Sequence, residues 1–430
     1  MTKLMIKLLP KNSKLTLPGK ISGSNLLGKS KISEKLSEQR RDVRAIFVSS
    51  YIPRKCGIAT FTKDLTNAIN ALNPYSLAEI LAVTDPTAPN GTYDYPWEVK
   101  FRINQDDVTN YISAADYINS SSAQIVCLQH EFGLYGGQDG EYILEFLKRV
   151  NKKVVTTLHT TMENPRENQK RIIREIFKYS SAVVVMIDPV VKRLETIYGV
   201  DSREIAVIHH GVPDIAFGGT DYFKEETKLS GRTIMSAINL ISANKGLEYA
   251  IAAVPQIIKK IPDFLFLIIG ETHPVVKKRS GEKYREELQT LVKKLKVEKH
   301  VKFINRYLPL EELVDYLRAS DYYVTPYLDP EQIASGTLSY AVGAGKVCIS
   351  TPYLYANEVL NGNRGVLVPF KNSKAIAKAI LDLSKDQATR ESIEREAYKY
   401  GRVMTWSSVA LAYLDLFSLV SKTKTAPRLK

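Results

Sequence analysis

The sequence predicts an α/β protein with two doubly wound, Rossmann-like domains that face each other across a cleft. From Arg44 onward, short Val/Ile-rich runs alternate with helical patterns. The alternation stops at residues 211–232, which are rich in Gly and polar residues, and then resumes. Alternating strands and helices are typical of parallel sheets, and a break in the middle of the pattern divides the chain. A length of 430 residues suits two domains better than one core.

The predicted strands are continuous apolar runs, which suit strands that are buried on both faces of a parallel sheet. In the first half they are RAIFVSS, AEILAVT, AQIVCLQH, KKVVTTLH, SAVVVMI and EIAVIHH. In the second half they are TIMSAI, DFLFLIIG, VKFIN, DYYVTPY, KVCIST and RGVLVPF. The repeated Thr-Pro-Tyr is interpreted as no more than a strand end, because Pro cannot continue a ladder.

The domain boundaries follow from these elements. We predict a basic tail over residues 1–43, an N-terminal domain over 44–215 and a C-terminal domain over 225–404, with a final helix, 405–422, that joins the first domain. Residues 1–44 hold 11 Lys/Arg against three Asp/Glu, a net +8 of the total +14. Interrupted by Gly, Ser and Pro and without periodicity, this tail is expected to be disordered. Its charge suits contact with anionic lipid, nucleic acid or no partner at all.

The predicted cellular compartment rests on the cysteines and on the length of the apolar runs. Its three cysteines are far apart and form no metal or disulfide pattern, which indicates a reducing cytoplasm. No apolar run approaches the ~20 residues that span a bilayer.

The first candidate site is the turn of YIPRKCGIATFTKDL, where a strand becomes a helix. Arg54 and Lys55 precede Gly57. A glycine allows a ligand to approach the backbone, and a helix N-terminus favours an anion. The alternative is a glycine that serves only the turn.

Histidines end two successive strands in the first half. His130 and Glu131 lie in LQHEFGLYGG, and His159 lies in TLHTT. Carboxyl ends of parallel strands line the ligand crevice, so these side chains are expected at the cleft. They show no metal spacing such as His-Glu-x-x-His, and we predict no metal site. The alternative for His130 and Glu131 is capping of neighbouring backbone.

Two candidate sites lie in the second half. Lys245 and Gly246 open a helix in ANKGLEYAI. A lysine at a helix N-terminus opposes the macrodipole unless an anion shares the site. The other site is SGTL, which opens a helix with small residues that can cradle an anion, and two side chains within reach of ligand hydroxyls precede it. Its residues are Glu331, Gln332, Ser335, Gly336, Thr337 and Leu338.

From residue 44 onward, the chain lacks Asp-x-Asp, a Walker-type Gly-Lys-Ser/Thr and a Gly-x-Ser-x-Gly elbow. Phosphate charge would therefore be met by Lys, Arg and helix N-termini, and sites in both halves predict a diphosphate held between them.

Taken together, PRKCGIATFTKDL, LQHEFGLYGG, TLHTT, HHGVPD, ANKGLEYAI and SGTLSYAVGAGK resemble the retaining glycosyltransferases of family 4, in a bacterial mannosyltransferase-like branch. The resemblance covers roughly residues 44–420. It implies a GT-B fold, with Gly57 near the diphosphate and acceptor, His159 on the transferred sugar and Lys245 on the donor diphosphate. It also matches Glu358 to an acid of unassigned role.

Two departures from the family pattern concern donor binding. Many relatives have an arginine where this chain has Leu240, and a Glu-x7-Glu pair where it has Gln332 and Tyr340. The first role of that pair can pass to Gln332 or Glu331, whereas the ribose contact at Tyr340 is in doubt. These departures leave the donor open and allow an inactive homologue.

The sequence-based hypothesis is a metal-independent, retaining hexosyltransferase. Its catalytic residues would be His159, Lys245 and Glu331, with Arg54, His130 and Glu131 on the acceptor or sugar. The substrate would be a nucleotide-diphosphate sugar, GDP-mannose by resemblance, and the acceptor a glycan or lipid-linked sugar at the inner face of the membrane. No separate cofactor is expected.

Three other functions remain open at this stage. They are a disaccharide phosphorylase or synthase of GT-B fold, a non-catalytic sugar-nucleotide binder, and a basic nucleic-acid-binding protein. The body of the chain lacks a recognisable nucleic-acid module, which disfavours the last of these.

Overall fold

Seven parallel strands form the first sheet of the computed structural model, which describes residues 43–86, 88 and 91–422. Their order is β3-β2-β1-β4-β5-β6-β7. The strands are β1 (Ala45–Ser49), β2 (Glu79–Thr84), β3 (Val99–Asn104), β4 (Ile125–His130), β5 (Lys153–Leu158), β6 (Ala182–Val185) and β7 (Ile205–Val207). Helices connect them: α1 (Gly57–Leu72), α2 (Val108–Ser120), α3 (Ile143–Arg149), α4 (Glu167–Tyr179) and α5 (Pro189–Arg193), which a π-helical turn continues.

The strand β3 was missed by the sequence analysis, which predicted six strands here. It lies at the edge of the sheet, and in its segment VKFRIN the half-buried Val99 and Phe101 and the buried Ile103 alternate with exposed residues. An edge strand needs no continuous apolar run, so the pattern used for the buried strands does not detect it.

Six parallel strands form the second sheet, in the order β10-β9-β8-β11-β12-β13. They are β8 (Thr233–Ile238), β9 (Phe264–Ile269), β10 (Val301–Ile304), β11 (Tyr322–Thr325), β12 (Val347–Ser350) and β13 (Val366–Leu367). Helices of this half are α6 (Thr220–Glu226), α7 (Leu247–Ile257), α8 (Pro274–Ser280), α9 (Lys283–Lys294), α10 (Leu310–Arg318), α11 (Gly336–Gly343), α12 (Leu354–Val359), α13 (Ser373–Lys385) and α14 (Gln387–Val403).

Both sheets change strand order part-way across. In the first sheet the change falls between β1 and β4, and in the second it falls between β8 and β11. Ligands of open parallel sheets bind outside the carboxyl ends of the strands at such points. The two sheets confirm the predicted α/β class and the two Rossmann-like halves.

The last helix, α15 (Trp406–Lys422), packs on the first sheet and α1. Phe417 contacts Phe47 of β1, and Thr157 of β5 lies 2.9 Å from the Tyr413 hydroxyl oxygen. The segment before α15 runs beside the linker, where Val212 N donates to the Met404 carbonyl oxygen at 2.8 Å.

The predicted tail over residues 1–43 lies outside the described residues except for Val43. That residue is buried, and its carbonyl oxygen accepts a hydrogen bond from Asn73 Nδ2 at 3.3 Å. Among the residues with described positions, no helix is both long and apolar enough to cross a membrane.

Candidate active site between the two halves

The turn between β1 and α1 places both predicted cations beside carboxylates. Arg54 Nε lies 2.9 Å from Asp85 Oδ2, and Lys55 Nζ lies 3.0 Å from Glu271 Oε1 in the other half. Cys56 caps α1, because its Sγ accepts from Ala59 N at 3.3 Å. Gly57 is exposed, and a Cβ there would have no atom within 4 Å. The turn is therefore open, but its positive charge is already compensated.

His130 does not line the cleft as predicted. Its side chain is fully buried at the end of β4, and neither ring nitrogen has a hydrogen-bond partner among the described residues. Burial lowers its pKa to about 3, so the ring is neutral. The neighbouring Glu131 is half-buried, accepts from Gly133 N at 2.8 Å and has a pKa that burial raises. The predicted pair therefore has two different roles. His130 belongs to the core, and Glu131 accepts a hydrogen bond from the backbone of the loop that follows it.

His159 lies at the carboxyl end of β5, as predicted, and is half-buried. Its Nε2 lies 2.8 Å from Gln129 Oε1, and its ring meets the edge of Phe61 with centroids 5.0 Å apart. Burial, followed by the neighbouring His210 and His130, lowers its pKa to about 3. The imidazole is neutral and held in one orientation.

His210 was not singled out by the sequence analysis, although HHGVPD was one of its motifs. It follows β7. Its ring packs against the Phe61 ring in an edge-to-face arrangement, with the two centroids 5.1 Å apart. It also faces Gly336, the first residue of α11, where a Cβ would lie 3.1 Å from His210 Nε2. Phe61 and His210 thereby connect His159 in the first half with α11 in the second.

Lys245 lies between β8 and α7, as predicted, above a pair of aromatic rings. Its Nζ is 3.9 Å from the centroid of the Tyr327 ring, which stacks on Tyr353 at 5.1 Å. Among the described residues, no carboxylate forms an ion pair with Lys245. These tyrosines are the ends of the two Thr-Pro-Tyr segments, so the repeat positions the lysine as well as ending strands.

Gly246 is required by the same turn. Its φ is +60°, and a Cβ would lie 2.1 Å from the Pro326 carbonyl oxygen. The backbone of the loop is further tied to that segment, because Leu328 N donates to the Asn244 carbonyl oxygen at 2.9 Å. The loop of Lys245 therefore packs directly on the chain that leads into α11.

The N-terminus of α11 has the small residues that were predicted to cradle an anion. Ser335 caps the helix, and its Oγ accepts from Leu338 N at 3.4 Å. That bond occupies the Leu338 amide, which was predicted to contact the ligand. Gly336 and Thr337 are the half-exposed positions of this turn.

Glu331 and Gln332 already have protein partners. The Glu331 carboxylate lies 3.0 Å from Arg193 Nη2 and accepts from Glu163 N at 3.0 Å, so it bridges to the first half. Burial raises the pKa of Glu331, with Arg193 opposing the change. Gln332 Nε2 donates to the Ala334 carbonyl oxygen at 2.8 Å.

Tyr340 also bridges the two halves. Its hydroxyl donates to Asp64 Oδ2 of α1 at 3.0 Å, and both side chains are buried. One turn earlier on α1, Thr60 Oγ1 lies 2.9 Å from the Tyr307 hydroxyl oxygen. One face of α1 thus contacts the second half. Tyr340, at the position where the family pattern implies a ribose contact, is used in this contact with α1.

Across the described part of the chain, no group of three or more His, Cys, Asp or Glu side chains is arranged to hold a metal ion. Among the described residues of this site, the groups without a charged partner are the neutral imidazoles of His159 and His210, Lys245 and the N-terminus of α11. This set suits an anionic ligand that also has hydroxyl groups.

A family model described as glycosyl transferases group 1 matches residues 220–400. These residues form a glycosyl transferases group 1 domain. It includes the turn of Lys245 and the N-terminus of α11, and it ends within α14.

Two curated relatives from Mycolicibacterium smegmatis are similar to this chain. A phosphatidyl-myo-inositol mannosyltransferase is 23% identical over 44% of this chain and 46% of the relative. A GDP-mannose-dependent alpha-(1-6)-phosphatidylinositol monomannoside mannosyltransferase is 27% identical over 38% of this chain and 41% of the relative. The chain thus spans less than half the length of these two relatives.

The fold is similar to that of a crystal structure of a glycosyltransferase from Rickettsia africae. The TM-score is 0.70 at 18% identity, covering 89% of this chain and 100% of the other. At this identity the likeness concerns the fold, and it agrees with the GT-B architecture expected around the group 1 domain.

Proposed function

We propose that the protein is a retaining glycosyltransferase that moves a hexosyl unit from a nucleotide-diphosphate sugar to a glycan or lipid-linked acceptor. The observation that carries this proposal is Lys245. Among the described residues it has no carboxylate partner, and it is held on the Tyr327 ring next to α7, in a loop packed against the segment that leads into α11. Such a preorganised cation stabilises charge that develops on a leaving diphosphate.

Each group then has a chemical task. Lys245 and the first amides of α11 hold the diphosphate, and His159 contacts the transferred sugar. The bond between the anomeric carbon and the diphosphate oxygen breaks while the acceptor oxygen bonds to the same face of that carbon. The acceptor's proton passes to the departing diphosphate oxygen, so the step needs no protein base. The protein contributes positioning and charge stabilisation.

The proposed donor is GDP-mannose, which the name of one relative supports. We propose that the reaction is metal-independent, because the sequence lacks Asp-x-Asp and offers Lys245 instead. Full activity in excess EDTA would support this, and a loss that Mg²⁺ or Mn²⁺ restores would contradict it.

We also propose a cytoplasmic enzyme that contacts the inner face of an anionic membrane. The support is the net +8 of residues 1–44, since each cation near such a surface contributes up to about 1 kcal/mol. Vesicle binding that falls steeply with salt is the expected behaviour.

A thermal-shift screen followed by a transfer assay tests the proposed function. GDP, UDP, ADP and their sugars are compared, because the true donor stabilises the fold by mass action. We expect one nucleotide series to raise the melting temperature, and its sugar to be transferred with retention at the anomeric carbon. If no nucleotide sugar binds, or if the product is inverted, the proposal is wrong.

A non-catalytic sugar-nucleotide binder is the second candidate. It is favoured by Glu331 and Tyr340, which both contact the other half instead of facing a ligand. Binding of the nucleotide sugar without transfer to any acceptor would support this candidate.

A further inference from the structure

His210 is a buried imidazole whose protonation is fixed by its own backbone. Its Nδ1 lies 2.7 Å from the Gly211 carbonyl oxygen. A carbonyl oxygen can only accept, so Nδ1 carries the ring proton. Burial lowers the pKa of His210 to about 4, and the ring is neutral near pH 7. Nε2 therefore has a lone pair and no proton.

Among the described residues, the surroundings of Nε2 are aromatic rings and a glycine, and they offer that lone pair no hydrogen-bond donor. The ring is otherwise packed against aromatic side chains: Phe61 at 5.1 Å, Trp406 at 5.8 Å and Tyr340 at 6.3 Å between centroids. Nε2 points toward Gly336, which is half-exposed and has no side chain to fill the space. Within residues 43–86, 88 and 91–422, no protein group donates a hydrogen bond to Nε2.

The chemistry of this nitrogen selects the kind of ligand group. An ionised phosphate oxygen has no proton to donate, so it cannot satisfy a bare nitrogen. A sugar hydroxyl can donate. His159 also has one donor and one acceptor nitrogen, with the two exchanged. Its Nε2 donates to the amide oxygen of Gln129 at 2.8 Å, so its Nδ1 is the acceptor. The Phe61 ring contacts both imidazoles.

We propose that His210 selects the donor sugar by accepting, at Nε2, a hydrogen bond from one hydroxyl of the hexosyl unit beside the N-terminus of α11. This inference rests on the proposed function, because the sugar is taken to be attached to a diphosphate at that helix end. It adds a specificity-determining residue that comes from the segment that follows β7.

Monodeoxy donors test this role. Wild-type protein and His210→Phe are assayed with GDP-mannose and UDP-glucose and with their monodeoxy derivatives. Phe retains the ring packed against Phe61 and Trp406 but lacks the acceptor nitrogen. We expect the wild type to lose about 10- to 100-fold in kcat/KM for one deoxy position, because a bound donor without that hydroxyl covers Nε2 and gives it no hydrogen bond. His210→Phe should distinguish that pair of donors by less than about threefold.

The matched control is His209→Phe. His209 is the preceding residue, and its Nδ1 lies 3.2 Å from the Met186 carbonyl oxygen while its ring meets Tyr400. This variant should keep the wild-type discrimination. If His210→Phe does not fold, His210→Asn is measured in the same way, since its shorter side chain does not reach the position of Nε2.

The outcomes separate the two proposals. If the wild type transfers sugar but no deoxy position matters, or if His210→Phe and His210→Asn keep the full discrimination, the inference about His210 is wrong and the proposed function stands. If the wild type neither binds nor transfers any nucleotide sugar, both are wrong.

Discussion

Two strand-to-helix turns of this protein look alike in sequence and differ in structure. Residues 54–57 and 242–246 each bring lysine and glycine to the start of a helix. In the first turn, Lys55 pairs with Glu271, and Gly57 has open space around its Cα. In the second, Lys245 lies on an aromatic ring, and Gly246 has a backbone that favours glycine. A cation beside a glycine therefore indicates an anion site only when the cation has no carboxylate partner.

The largest difference between the turns should appear in catalysis. Lys245→Ala is expected to lower kcat by about 100-fold or more, because removing one preorganised charge stabiliser costs about 3–4 kcal/mol. The assay is turnover at saturating donor.

Lys55→Ala is the matched control for this prediction. An exposed ion pair contributes about 0–1 kcal/mol, so kcat should change by less than about fivefold. Equal losses of kcat in the two variants would show that both lysines contribute to catalysis. Normal turnover in a folded Lys245→Ala would assign that lysine a structural role.

The glycines should differ in stability. Gly246→Ala is expected to lower the free energy of unfolding by about 1–3 kcal/mol, since a non-glycine residue with positive φ is strained, and the contact with the Pro326 oxygen adds to this cost. Gly57→Ala, at a helical position with open space, should leave stability unchanged or raise it by up to about 1 kcal/mol. Urea unfolding of both variants measures this, and a stable Gly246→Ala would mean that the loop can rearrange.

Asp64 lies on α1, the helix that begins at the first of these two turns, and it contacts Tyr340 of the second half. Burial raises its pKa although the Tyr340 hydroxyl donates to it; Lys63 opposes the shift and Glu311 adds to it. Because the pKa of Asp64 is higher in the folded state, its contribution to the free energy of unfolding is largest below its unfolded pKa of about 3.9. That contribution is lost as the pH rises through the folded-state pKa. Asp64→Asn should therefore be more stable than wild type by about 0.5–1 kcal/mol at pH 7.

The pH dependence provides the check on that prediction. The stability difference between Asp64→Asn and wild type should shrink as the pH falls and vanish below about pH 4. Melting temperatures across about pH 3–8 measure it. A variant that is less stable than wild type at every pH would show that the charged carboxylate is favourable in this contact.

The smallest effect on turnover is expected from the tail, which carries most of the net positive charge of the chain. Val43 is buried, so the truncation should remove residues 1–42 rather than 1–43. Turnover on a soluble acceptor should stay within about threefold, a change under about 0.7 kcal/mol. Binding to vesicles of anionic lipid, compared with neutral vesicles, should fall sharply. A folded truncation that loses turnover would place tail residues in the chemistry.

The two sheets and most of their strands could be predicted from the sequence alone, because an apolar run buried on both faces can form few other structures. The sequence also predicted that His159, Lys245 and Ser335 lie at strand ends or helix starts, since a parallel sheet brings all of these to one edge. These features depend on neighbours along the chain, and local pattern is sufficient to predict them.

Which of these side chains is available to a ligand depends on tertiary packing and could not be predicted from the sequence. Lys55 and Glu271 are 216 residues apart, and the burial of His130 depends on the loop that folds over it. The stacking of Tyr327 on Tyr353 and the position of His210 against Gly336 likewise join separate elements. Partner, burial and tautomer depend on how the two halves pack together, and this packing is not encoded in the spacing of residues along any one element.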